Sequence, residues 1–284
     1  MSKVVELFGK AVDTIGIDWK KTIAGQKCPF LGKACYKTRK SDPSIAIGSC
    51  TVMYGKEPRP VIICPTRLID RGQIFVDCLH LLTNHEPGNE LHLVSEVRVP
   101  GGSIDYVLVS SKEGKVHDFV GIELQTLDTT GSVWPERQRL LKALGVRRHD
   151  KGENLETTFG MNWKMTAKTI LMQMHHKVQT FEHVNRKLVL VVQDKLLEYM
   201  AKEFSFGHVS TAAKLGDAFH LHSYRMSRGE SGNFRLLMDS RMSTDVSGIA
   251  TCLGLQAEAR VELAQIIAAL QAKISSATLF QPTL

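Results

Sequence analysis

The chain has no long apolar run. Nowhere do its 284 residues approach the about 20 consecutive apolar residues that a membrane-spanning helix needs. It also lacks the continuous apolar segment and small-residue cleavage site of a signal peptide. Residues 2–15 instead carry Val4, Val5, Leu7, Phe8, Ala11, Val12 and Ile15 with Lys3, Glu6, Lys10 and Asp13 between them, a spacing that predicts an amphipathic N-terminal helix within residues 1–24. There is no internal repeat and no low-complexity tract. Cysteine is scarce, with six residues and no Cys-x-x-Cys pair. These absences argue against a repeat array, a disordered chain or a helical membrane protein, and the expected location is the cytoplasm, without a membrane partner.

What is present is an ordinary soluble composition, 43% hydrophobic and 23% charged, with a net charge of +7 and a pI near 9.1. Excess Lys and Arg attract polyanions over long range, so a nucleic acid is a natural partner. The basic residues cluster at Lys33, Lys37, Arg39 and Lys40, and again at Arg137, Arg139, Lys142, Arg147, Arg148 and Lys151. A solvated face would explain either cluster equally well.

Residues 25–66 stand apart. The stretch Gly25 to Pro65 holds four of the six cysteines and five of the nine prolines, with little helical period. It reads as a small loop-rich module ahead of a larger unit, residues 67–284. In that unit a helix is expected over Arg67 to Leu82, strands over Leu91 to Val99, Ile104 to Ser110 and Val116 to Gln125, and helices over Pro135 to Leu144 and Trp163 to Phe181. The run Lys187 to Gln193 reads as a buried strand. A helix over Leu196 to Phe204, a strand over Ala218 to Met226 and a helix over Ala257 to Ile274 complete the series. The order predicts an α/β fold with a mixed sheet flanked by helices.

Two constellations carry chemistry. Cys28, Cys35, Cys50 and Cys64 lie inside the loop-rich module, and clustered cysteines in a cytosolic chain favour metal over disulfide. Four thiolates suit zinc or iron and exclude magnesium and calcium. Their intervals of six, fourteen and thirteen residues are unusual for a ligand set, and four buried, inert thiols are the ordinary alternative. Cys78 and Cys252 sit in apolar patterns and are expected in the core.

The second constellation is acidic. Folding the chain about Glu113-Gly114 makes a hairpin that brings Asp105 opposite Ile122, one residue short of Glu123, and a small bulge would align the two acids. Side chains alternate along a strand, so Glu123 and Gln125 share a face and Leu124 points away. Asp105 and Glu123 could then hold a magnesium ion, with Glu96 on the preceding strand as a further candidate. Gln125 stands where many such sites have lysine. An amide cannot take a proton from water, so its part would be to orient water or phosphate. The pairs His175-His176 and His220-His222 are not expected to bind metal. Asn162, Lys164, Thr166 and Lys168 open a helix and could meet phosphate. Arg137, Arg139, Arg147 and Arg148 are the candidates for reading guanine.

Together, Cys28-Pro-Phe-Leu-Gly-Lys-Ala-Cys35, Gly101-Gly-Ser-Ile-Asp105, Gly121-Ile-Glu-Leu-Gln125-Thr, Asn162-Trp-Lys-Met-Thr-Ala-Lys168 and Lys187-Leu-Val-Leu-Val-Val-Gln-Asp194 resemble the NotI-type type II restriction endonucleases, at the size of the shorter members. The resemblance implies a restriction-endonuclease-like core of the Pro-Asp…(Asp/Glu)-x-Lys type, with Asp105, Glu123 and Gln125 as active site. Here Ile104 replaces the proline and Gln125 the lysine. The resemblance also implies a structural metal at Cys28, Cys35, Cys50 and Cys64, iron rather than zinc. It further implies a bacterial homodimer that cuts GC-rich palindromes in double-stranded DNA and leaves 5′ overhangs. A non-catalytic metal-stabilised DNA-binding protein and a structure-selective repair or recombination nuclease are the alternatives.

Overall fold

A computed structural model describes residues 2–146, 157–230, 232–255, 267–268 and 271–272. The N-terminal part holds β1 (Val4–Leu7), β2 (Lys10–Ala11), α1 (Trp19–Gly25), β3 (Thr38–Arg39), β4 (Asp42–Ala46), β5 (Ser49–Tyr54) and β6 (Arg59–Ile62). A 3₁₀ segment, Pro65–Gly72, and the single turn α2 (Gln73–Val76) lead into the long strands β7 (Glu90–Val99), β8 (Gly102–Lys112) and β9 (Lys115–Leu124). After β10 (Thr129–Thr130) come α3 (Trp134–Ala143), β11 (Gly160–Met161), α4 (Trp163–His183), β12 (Lys187–Gln193), α5 (Asp194–Glu203), β13 (Phe219–Arg228), β14 (Phe234–Thr244) and α6 (Val246–Cys252).

The main sheet has six strands in the order β14-β13-β12-β9-β8-β7. β7, β8 and β9 form an antiparallel meander, and β12 runs parallel to both β9 and β13. Parallel pairing on both sides requires cover on both faces, and all seven residues of β12 are buried, which is why its sequence is a continuous apolar run. On one face, Ile170, Leu171, Met174, Val178 and Phe181 of α4 pack over Leu188, Leu190 and Val192. On the other, Ile62, Leu68, Ile74 and Leu81 cover Ile122, Leu124, Val189 and Val191.

The expected N-terminal helix does not form before Trp19. Phe8 and Gly9 take positive φ of 49° and 69°, which reverses the chain into the β1–β2 hairpin, and β1 pairs with β5 in a second sheet of order β2-β1-β5-β6. The segments 2–24 and 25–66 therefore share one sheet. The helix expected over Arg67 to Leu82 is broken as well: Arg71 and Gly72 have φ of 57° and 67°, so the apolar residues reach the core from short turns. β14 and α6 were not expected from the sequence, and of the helix expected over Ala257 to Ile274 residues 267–268 and 271–272 are described, where the Ala272 N–H donates to the Ala268 carbonyl at 3.0 Å in helical register, while its other residues lie outside the described ones.

Buried polar groups stitch the two sheets together. Arg67 is 1% exposed; its Nε donates to both Glu6 oxygens, its Nη2 to the Phe234 carbonyl at 2.8 Å, and its Nη1 lies 3.2 Å from Asp70. Thr51 donates to the same Glu6 carboxylate. At the end of β12, the Gln193 amide accepts from the Ile62 N–H and donates to the Pro60 carbonyl, both at 2.8 Å. The cysteine-bearing segment is thereby fixed against the C-terminal end of β12.

Candidate active site

The hairpin of β8 and β9 positions the acids. Pairing runs from Lys112↔Lys115 and Ser111↔Val116, then shifts by one residue to Ser110↔Asp118 and continues to Tyr106↔Ile122. His117 is the extra residue of this bulge. The slip that it introduces carries Asp105 from a place opposite Ile122 to one opposite Glu123. Across the other edge of β8, the pairs Ser95↔Tyr106 and Val97↔Ile104 bracket Glu96 and Asp105. Glu96, Asp105 and Glu123 thus stand in one row over three strands. Glu96 takes φ of 56°, a left-handed conformation that costs a non-glycine residue about 1 kcal/mol or more.

The two central carboxyls have unlike environments. Asp105 is half-buried; burial raises its pKa against the opposing pull of the Leu124 N–H, which donates to Oδ2 at 2.8 Å. Glu123 is 1% exposed, and burial pushes it up to about 7. The Lys177 ammonium counters that rise by donating to Glu123 Oε1 at 2.7 Å, and the neighbouring Asp105 charge adds to it. Gln125 keeps its place in the sheet through its N–H to the Val191 carbonyl at 3.0 Å.

Asp105, Gln125 and Glu96 line a cleft of about 500 Å³. Its opposite wall is Leu31, Lys33 and Tyr36 from the stretch around Cys28 and Cys35, with Pro65 and Thr66. A neighbouring cavity of about 700 Å³ gathers Lys37, Arg39 and Lys40, and Arg39 stacks 4.4 Å over the Trp134 ring. Of the first basic cluster, Lys33 lines the cleft with the acids, and Lys37, Arg39 and Lys40 line the second cavity.

Cys28, Cys35, Cys50 and Cys64 line one small cavity of about 10 Å³ with Phe8, Pro29, Lys37, Gly48 and Ser49. That is room for roughly one small ion or water. All six cysteines are unpaired as thiols. Burial raises the thiol pKa of Cys35 and, further, of Cys50. The four sulfurs fit a soft metal in donor type and in their convergence on one cavity. As placed they are not a closed ligand set: among the described residues no group of three or more His, Cys, Asp or Glu is arranged to hold an ion.

The other candidates are dispersed. Arg137 is buried and donates to the Ile47 carbonyl at 2.7 Å, so it holds the β4–β5 connection instead of facing a groove. Arg139 pairs with Glu136 at 2.6 Å. Lys164 pairs with Glu203 at 3.1 Å and Lys168 is exposed. Arg147 and Arg148 lie outside the described residues. His220 and His222 are buried in the sheet, and His175 and His176 pack edge to face. Sequence reasoning missed Lys177, although a signal was there: it sits on the apolar stripe Ile170, Met174, Val178, Phe181 of α4, where a lysine needs a reason.

A mixed sheet thus places two acids and an amide at the end of one strand pair. The family model described as restriction endonuclease NotI matches residues 20–235, well over half of the chain, spanning every site residue from Cys28 to Lys177. The chain belongs to this restriction endonuclease family, which makes it a DNA endonuclease, a hydrolase acting on double-stranded DNA. The comparison with curated proteins found no match. No described helix is long and apolar enough to cross a membrane.

Proposed function

We propose that the protein is a magnesium-dependent type II restriction endonuclease whose cleavage site is Asp105, Glu123 and Gln125, with Glu96 beside them. The observation that carries this reading is the bulged register, which sets Asp105 across from the buried Glu123, while Asp105 and Gln125 line one cleft. Asp105 and Glu123 would hold Mg²⁺, and the Leu124 carbonyl between Glu123 and Gln125 is a further oxygen donor. The bound ion would favour deprotonation of the attacking water and stabilise charge on the leaving oxygen. Gln125 orients the water or the scissile phosphate through its amide. Lys33, Lys37, Arg39 and Lys40, with Lys168, attract the phosphate backbone. Cys28, Cys35, Cys50 and Cys64 hold a structural metal, iron in preference to zinc, that would fix the wall of the cleft.

Family membership supports a homodimer whose two-fold axis matches a GC-rich palindrome, cut to leave 5′ overhangs. The test is Asp105→Ala. Cleavage of DNA with magnesium should be lost while DNA affinity stays within a few-fold of wild type. A variant that cuts at the wild-type rate overturns the site.

A further inference from the structure

We propose that Lys177 is a positioning residue for cleavage, supplying from α4 the fixed positive charge that the general nuclease motif carries on the strand, where this chain has neutral Gln125. Its Nζ donates to Glu123 Oε1 at 2.7 Å and to the Ser103 carbonyl at 2.6 Å, so one ammonium grips both strands of the acid hairpin. Buried at 8% exposure, the ammonium has the Ser103 carbonyl and Glu123 as its two acceptors among the described residues.

Two features show that this placement is built into the chain. The lysine occupies an apolar stripe of α4, where an aliphatic side chain would pack without the cost of desolvating a charge. The turn Gly101-Gly102 is shaped to admit it. A Cβ at Gly101 would lie 3.1 Å from the His176 carbonyl oxygen, and one at Gly102 would lie 3.3 Å from Lys177 Cε, with φ of 94° and 135° at the two glycines. Two consecutive glycines therefore let the helix approach the turn closely enough for Lys177 to reach Glu123. Lys177 acts through Glu123, holding its carboxylate in line with Asp105 and raising the positive potential where phosphate charge develops.

The inference rests on the cleavage reading above, and the experiment separates the two. Single-turnover cutting with magnesium is measured for wild type, Lys177→Gln, Lys177→Met and Lys177→Met/Gln125→Lys, each with its DNA affinity and its urea midpoint. Lys177→Gln keeps amide donors for Ser103 and Glu123 but removes the charge, so it serves if the methionine variant fails to fold. Both single variants should cut about 100-fold more slowly with DNA affinity within threefold. Moving the lysine to position 125 should restore at least about tenfold of the loss, a rescue that a packing role would not permit. Wild-type rates in Lys177→Gln, or a deficit that Gln125→Lys leaves untouched, overturn the role of Lys177 alone. A wild-type protein that does not cut overturns both readings.

Discussion

Acidification should destabilise this protein through two histidines on one strand, and His222→Leu should remove half of that sensitivity. His220 and His222 lie on β13 at 1% and 0% exposure, and among the described residues His220 Nδ1 and His222 Nε2 have no hydrogen-bond partner. Burial pulls their pKa values from 6.5 down to about 4 and about 3; for His222 the neighbouring His220, Arg241 and His80 pull the same way. A base depressed by folding stabilises the native state above its unfolded pKa, and that stability is lost as pH falls through 6.5 toward the folded value. At pH 5 each ring holds its proton in the unfolded chain and not in the native one, so each costs about 2 kcal/mol relative to pH 8, and the pair about 4. Glu123 works in the opposite direction. Its raised pKa stabilises the native state at low pH and loses that effect as pH rises toward 7. The readout is therefore a difference: urea unfolding at pH 8 and pH 5, for wild type and for His222→Leu. Wild type should lose about 2 kcal/mol more than the variant between the two pH values, a midpoint difference of roughly 0.5–1 M urea. Equal losses in the two proteins would refute the reasoning.

If Glu123 holds magnesium as proposed, its carboxyl should couple magnesium binding to protons. With its pKa pushed up to about 7, the apparent magnesium requirement for cleavage should tighten from pH 6 to pH 8 as the competing proton leaves; a requirement flat over that range would show that Glu123 is not a ligand. Arg67→Met should destabilise the fold by about 3–5 kcal/mol in urea unfolding, because Glu6 is left buried and uncompensated. Glu6→Gln in that background should recover part of the loss, and a mild single variant would contradict the buried network. Protein purified without added metal should carry one iron per chain by elemental analysis and lose it in Cys50→Ser; zinc alone in stoichiometric amount would refute the iron assignment, and no metal at all would leave the cysteines as packing residues.

The sequence carried the parts of the fold that local pattern dictates. The all-apolar run Lys187 to Gln193 is the buried central strand because it pairs on both sides. The β8–β9 hairpin follows from its turn residues, and a bulge was needed to align its acids. What stayed hidden depends on partners distant in sequence. Residues 4–7 became a strand because Leu7 pairs with Ser49 and Glu6 is buried against Arg67, while Phe8 and Gly9 turn the chain where a helix would have continued. At the site, Asp105, Glu123, Gln125 and Glu96 could be placed on neighbouring strands by register alone. Lys177 could not, since its contact with Glu123 spans 54 residues and depends on the Gly101-Gly102 turn admitting α4. Arg137 shows the converse: a basic residue in a charged cluster turned inward to bind a backbone carbonyl.

The most direct test of the central claim is digestion of unmethylated phage DNA by the purified protein, with and without magnesium, followed by sequencing of the ends. Discrete fragments that appear only with magnesium, share one GC-rich palindrome and carry 5′ overhangs are the predicted result, with Asp105→Ala silent in the same assay. Intact DNA, or random nicks despite tight binding, would contradict it.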